Sequence, residues 1–146
     1  MVEDGAETGE DRAAYDELAA YTLTHGDPAF IHQHVVDAFA AQHATEDSKP
    51  IGVAFALIGL FLHLECGRSG RAVQQAHMRL GAKRRRWPTF DLPPTRGDIT
   101  IHDVVAVAPG PERDRAIDGW CASVWDSWSG SHERVIALLR EMGEAT

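Results

Sequence analysis

Cysteine is nearly absent from this chain of 146 residues: Cys66 and Cys121 are the only two. So sparse a set builds neither a disulfide framework nor a zinc finger, and it points to a reducing compartment. Positive charge is scarce as well. Fourteen Lys and Arg stand against 22 Asp and Glu, a formal charge of -8. That balance repels phosphate backbones and anionic membranes, so neither nucleic acid nor a membrane surface is an expected partner. Where a signal peptide needs a basic and apolar start, the chain has Glu3, Asp4, Glu7, Glu10 and Asp11, and the expected location is cytoplasmic. Long apolar runs are also missing. The best one, Ile51 to Leu64, is interrupted by His63 and falls short of the roughly 20 residues that span a bilayer; it reads as a central buried helix. Sustained strand alternation and internal repeats are absent.

What remains is helical periodicity at single-domain length, with 44% hydrophobic content to supply one core. The expected architecture is all-α: an acidic tail over residues 1–10 and one bundle of about five or six helices over 11–146. Tyr15, Leu18, Ala19 and Leu23 mark a helix over about 12–25, and His25-Gly26-Asp27-Pro28 ends it and opens the next. Val35, Val36, Phe39 and Ala40 mark a second helix to His43, whose stripe extends to His32 and His43. Pro50 starts a third as far as Cys66, with Gly52 and Gly59 on one side permitting close approach of another helix. A fourth follows over about Arg71 to Arg85. Trp87 to Pro94 holds three prolines and reads as a strap across the bundle. A short helix from Thr100 carries a capping pattern with Asp103. A longer one from about Glu112 bears Trp120, Val124 and Trp128, and a last one runs over 132–142.

Five of the eight histidines fall between His32 and His77. Buried imidazoles need a hydrogen-bond partner, a proton to move or a metal to hold. If helices 2, 3 and 4 are antiparallel neighbours, folding about residue 47 sets His32 level with Leu62 or His63. Folding again near Arg68 sets His63 level with Gln74, one turn from His77. His32, His63 and His77 thereby become a candidate set for a divalent transition metal, zinc first, whose bound water would turn acidic. Asp37 and Glu65 are the outer-shell or proton-transfer candidates, and His43, which either caps the far end of the same interior or lines a separate pocket, is counted with them. Two alternatives stand beside the metal. His63 or His77 works as an acid or base oriented by Asp37 or Glu65, with Gln42 or Tyr21 holding substrate; or the histidines are structural, each satisfied by a neighbour.

His34 lies opposite the apolar stripe and reads as a surface residue. The basic run Lys83 to Arg86 closes helix 4 and reads first as dipole compensation; with Arg85 and Trp87 beside the strap it reads second as an anion-binding mouth for substrate. Trp120, Trp125 and Trp128 read as core or as the surface of a homodimer. Cys66 and Cys121 read as packing residues.

The string His32-Gln33-His34-Val35-Val36-Asp37-Ala38-Phe39-Ala40-Ala41-Gln42-His43 resembles a bacterial family known only as a domain of unknown function. The likeness continues through Lys49 to Leu60, then Leu62-His63-Leu64-Glu65, Ala76-His77 and Trp87-Pro88, and covers roughly 15–130. It implies no activity, but it picks out His32, Asp37, Gln42, His43, His63 and His77 as the matching polar positions. Many relatives begin with a cysteine pair, which this chain lacks. The expectation is therefore a small intracellular enzyme acting on a small organic molecule by hydrolysis, dehydration or cyclisation. A non-catalytic ligand-binding or dimerising helical module is the alternative.

Overall fold

The computed structural model describes residues 6–24, 29–83 and 85–144. Among them are seven α-helices and no strand: α1 (Gly9–Thr24), α2 (His32–Gln42), α3 (Pro50–Leu64), α4 (Gly70–Gly81), α5 (Ile101–Val105), α6 (Pro111–Ser127) and α7 (His132–Glu141), with one 3-10 turn at Ser129–Ser131. They form a single all-helical domain.

Local chemistry explains most helix starts. The Thr8 N–H donates to the Asp11 carboxylate at 2.9 Å and the Asp11 N–H to the Thr8 hydroxyl at 3.1 Å, a reciprocal cap that opens α1 at Gly9. Of the expected acidic tail, residues 1–5 lie outside the described residues, and α1 already begins within its last two. Pro50 and Pro111 occupy the first turns of α3 and α6, where a missing N–H costs nothing. Ser69 caps α4 through the Ala72 N–H. Thr100 and Asp103 make the expected capping box of α5.

Two boundaries differ from the sequence expectation. The α2 helix begins at His32 rather than Pro28, because Phe30 takes a left-handed backbone (φ 60°) that no helix continues; the turn expected at 25–28 lies outside the described residues. The α4 helix stops at Gly81, so the basic run follows the helix instead of closing it. Its Lys83 ammonium donates to the Met142 carbonyl just beyond α7, serving the negative end of another helix. Arg84 lies outside the described residues.

Helices α2 and α3 form the centre. The α2 helix packs on α3 and α6 and also on α1 and α4, while α3 packs on α4, α6 and α7. With neighbours on several sides, α2 buries seven of its eleven residues. Trp120, Trp125 and Trp128 all lie in this core, so they offer no surface for a second copy. Cys66 and Cys121 are unbridged. No described helix is long and apolar enough to cross a membrane.

The strap is real. Residues 87–99 run without regular structure, with Phe90 buried and Trp87 and Leu92 half-buried. Its far end is pinned to α2: the Gln42 amide donates to the Arg96 and Ile99 carbonyls at 2.9 and 2.8 Å, while Arg96 donates to the Gln42 and Ala44 carbonyls.

Candidate functional site

The α2–α3 pairing sets two rungs of the site. Asp37 lies against Gly59, and His34 lies against His63 one turn further on. The α3–α4 pairing brings His77 to the Gly59 rung, with its ring stacked on Phe55 at 4.9 Å and 4°. Gly59 is decisive here. A Cβ at that position would fall 1.8 Å from Asp37 Oδ2, 2.5 Å from its Cγ and 3.0 Å from His77 Nε2, so the carboxylate occupies the place of a side chain. Gly52, the other glycine expected to admit a neighbour, has nothing within 4 Å of its Cβ position.

Asp37 is 3% exposed. It is held by the Gln33 amide at 3.1 Å and by His77 Nε2, 3.4 Å from each of its oxygens. Burial pushes the Asp37 carboxyl above the usual carboxylate range, against the pull of His77 and Gln33. With Nε2 turned to the carboxylate, His77 Nδ1 is left buried without a hydrogen-bond partner among the described residues. A neutral ring that donates from Nε2 presents a bare lone pair at Nδ1. The Phe55 ring covers this imidazole, and Trp87 meets Phe55 edge-on at 5.1 Å. The strap therefore closes over the site through two aromatic layers.

A second imidazole–carboxylate couple lies one turn away. His63 Nε2 is 3.0 Å from Asp118 Oδ1, and its Nδ1 is 3.3 Å from the Arg68 carbonyl. The hydrogen bond from His63 pulls the Asp118 carboxyl below its ordinary value. His34 stacks on His63 with ring centroids 3.5 Å apart and planes 15° apart.

The structure thus gathers Asp37, His63 and His77 as expected from the sequence, but not His32. The His32 ring turns to Thr22 on α1, Nδ1 to Oγ1 3.0 Å, and burial lowers its pKa. The helices meet about half a turn out of the expected register, which sets His34 opposite His63 in the place intended for His32. His34 is accordingly buried, not solvated. Among the described residues no three His, Cys, Asp or Glu side chains are grouped to hold a metal ion.

The other candidate residues are placed elsewhere. Glu65 is exposed beyond the end of α3 and accepts from the Trp125 indole at 2.9 Å. Tyr21 ties α1 to α6 through Asp114 at 2.7 Å. The Gln42 amide is spent on the strap, and its oxygen accepts from the Trp120 indole at 2.9 Å. His43 lies at the far end of α2, its Nδ1 3.8 Å from Asp11. There it lines a separate cavity of about 190 Å³ with Gln42, Arg96 and Thr100. The Arg85 guanidinium sits over the Trp87 ring at 5.7 Å, at the outer end of the aromatic layers.

Reasoning from sequence missed Gln33, His34 and Asp118. Gln33 was findable, one helical turn before Asp37 on the same face; Asp118 carried no local signal.

No curated protein and no solved structure matches the chain. A family model does match, over residues 5–129, a span that contains every residue of the Asp37, His63 and His77 cluster: the chain belongs to the family of unknown function DUF5946.

Proposed function

We propose that the chain is an enzyme that moves protons on a small organic molecule, with His77 Nδ1 as general base and Asp37 orienting the ring. One observation carries this reading: a carboxylate buried against the backbone of Gly59 faces one nitrogen of His77, while the other nitrogen has no hydrogen-bond partner among the described residues. A buried carboxylate costs stability unless it is fully compensated, and such perturbed pairs gather at working sites. An imidazole fixed by a carboxylate on one nitrogen is the arrangement a general base needs. Substrate would reach it by displacing Phe55 and Trp87 from the strap side.

The test follows solvent deuterium entering a panel of small carbonyl compounds, read by proton NMR. The expected result is exchange catalysed by the wild-type chain and slowed about 100-fold or more in His77→Gln and in Asp37→Asn, with helicity retained. Absence of catalysed exchange across the panel, or full rates in both variants, refutes the reading. Elemental analysis of the same samples decides between this reading and the metal-held version expected from the sequence. Stoichiometric zinc that disappears in His77→Gln would replace the free base by a metal ligand with Asp37 behind it.

A further inference from the structure

Building on the proton-transfer reading of the same site, we infer that the exposed carboxylate of Asp118 sets the site's proton state by holding His63 as a doubly protonated imidazolium, the acid that complements His77. Both nitrogens of His63 face groups that only accept: the Arg68 carbonyl at 3.3 Å from Nδ1 and the Asp118 carboxylate at 3.0 Å from Nε2. A neutral imidazole has one N–H and one lone pair, so it would point that lone pair at one of the two acceptors. A second proton satisfies both. His77 is the reverse case, with one nitrogen on a carboxylate and the other without an acceptor among the described residues. Two imidazoles on neighbouring rungs of α3 and α4 are thus set to opposite tasks, one to give a proton and one to take it.

The surroundings of His63 are consistent with a cation. From α2 come the stacked His34 ring and, beyond it, the buried Asp37 carboxylate. From α6 comes Asp118, and behind the His34 ring lies Cys121, whose thiol donates to the His34 carbonyl at 3.7 Å and is pushed by burial well above its ordinary value. The Arg68 guanidinium reaches Glu144 at 3.3 Å, while its carbonyl faces His63 Nδ1. Asp118 has 64% of its side chain exposed, whereas His63 has 18%, so the pair spans from solvent to the buried rung. In a turnover, His77 Nδ1 takes a proton from one atom of the substrate and His63 Nε2 gives one to another. Water then removes the proton from His77 and restores the one on His63 past Asp118, leaving no net change in the protein.

Long-range proton–nitrogen spectra of the chain carrying 15N-histidine test this at neutral pH, with His63→Gln and His77→Gln assigning the signals. The expected result is two protonated nitrogens on His63 and one on His77. In Asp118→Asn, His63 keeps only its Nδ1 proton, and the deuterium exchange rate falls about tenfold or more with the fold unchanged. A singly protonated His63 in the wild type, or a His63 still doubly protonated in Asp118→Asn, overturns the inference. Catalysed exchange that is lost in His77→Gln but untouched in Asp118→Asn would leave His77 as base and remove His63 and Asp118 from the reaction. The expected proton states without catalysed exchange would do the opposite: Asp118 keeps its hold on His63, and the catalytic reading falls.

Discussion

Replacing Gly59 by alanine puts the central packing argument to its sharpest test. In an ordinary helix interior the change gains up to about 1 kcal/mol, because alanine loses less backbone freedom on folding. Here the new methyl would stand 1.8 Å from Asp37 Oδ2 and 3.0 Å from His77 Nε2, so the carboxylate has to leave its seat. Overpacking of this kind costs about 1–3 kcal/mol, and a displaced buried carboxylate that loses its amide and imidazole partners adds about 1–3 kcal/mol. The net expectation is a loss of about 1–5 kcal/mol, or roughly 3–15 °C in melting temperature for a chain of this size. Gly52→Ala is the matched control. It lies on the same helix with open space around its Cβ position, and it should be neutral or stabilising by about 0.5–1 kcal/mol. Urea unfolding followed by the fluorescence of the buried tryptophans reads both. Equal stability of the two variants would show that Asp37 does not occupy the place beside Gly59.

Asp37→Asn should change how stability depends on pH. A carboxyl whose folded pKa lies above its unfolded value binds its proton more tightly when folded, so it weakens the fold at neutral pH and this cost fades as pH falls towards the ordinary value of 3.8. Relative to the Asn variant, the wild type should therefore gain stability on mild acidification, at no more than about 1.4 kcal/mol per pH unit from this group, while the loss from His32, whose pKa burial lowers, is common to both proteins. Carboxyls shifted the other way, such as Asp118 under its hydrogen bond from His63, lose their contribution only at still lower pH; an identical pH profile for the two proteins would refute the burial argument. Gln42→Ala should cost about 2–5 kcal/mol, because it strands the Trp120 indole and the Arg96 and Ile99 carbonyls. Its unfolding midpoint in urea checks this, and a cost near zero would mean that the strap is not held through Gln42.

How far the sequence reached differs from one part of the site to the next. The α3–α4 turn was legible: Gly67 and the Ser69 cap fix a short connection, and His77 does lie within a turn of the His63 rung. The α2–α3 connection is longer, and a shift of about two residues there exchanges His34 for His32. Asp37 was legible as the one acidic residue of α2, whereas its seat was not, because the value of Gly59 depends on which side chain arrives from the neighbouring helix. Asp118 was invisible for the same reason, since its partner lies 55 positions away.

The residues by themselves settled that this chain is a bundle of helices and where most of those helices begin, because caps, first-turn prolines and the apolar period act within one or two turns of the backbone. They did not settle which histidines meet. On a central helix covered from several sides, an apolar stripe no longer separates inside from outside, and the choice passes to the register in which whole helices slide past one another. That register is set by packing summed over entire helix faces, and only the assembled fold carries the sum.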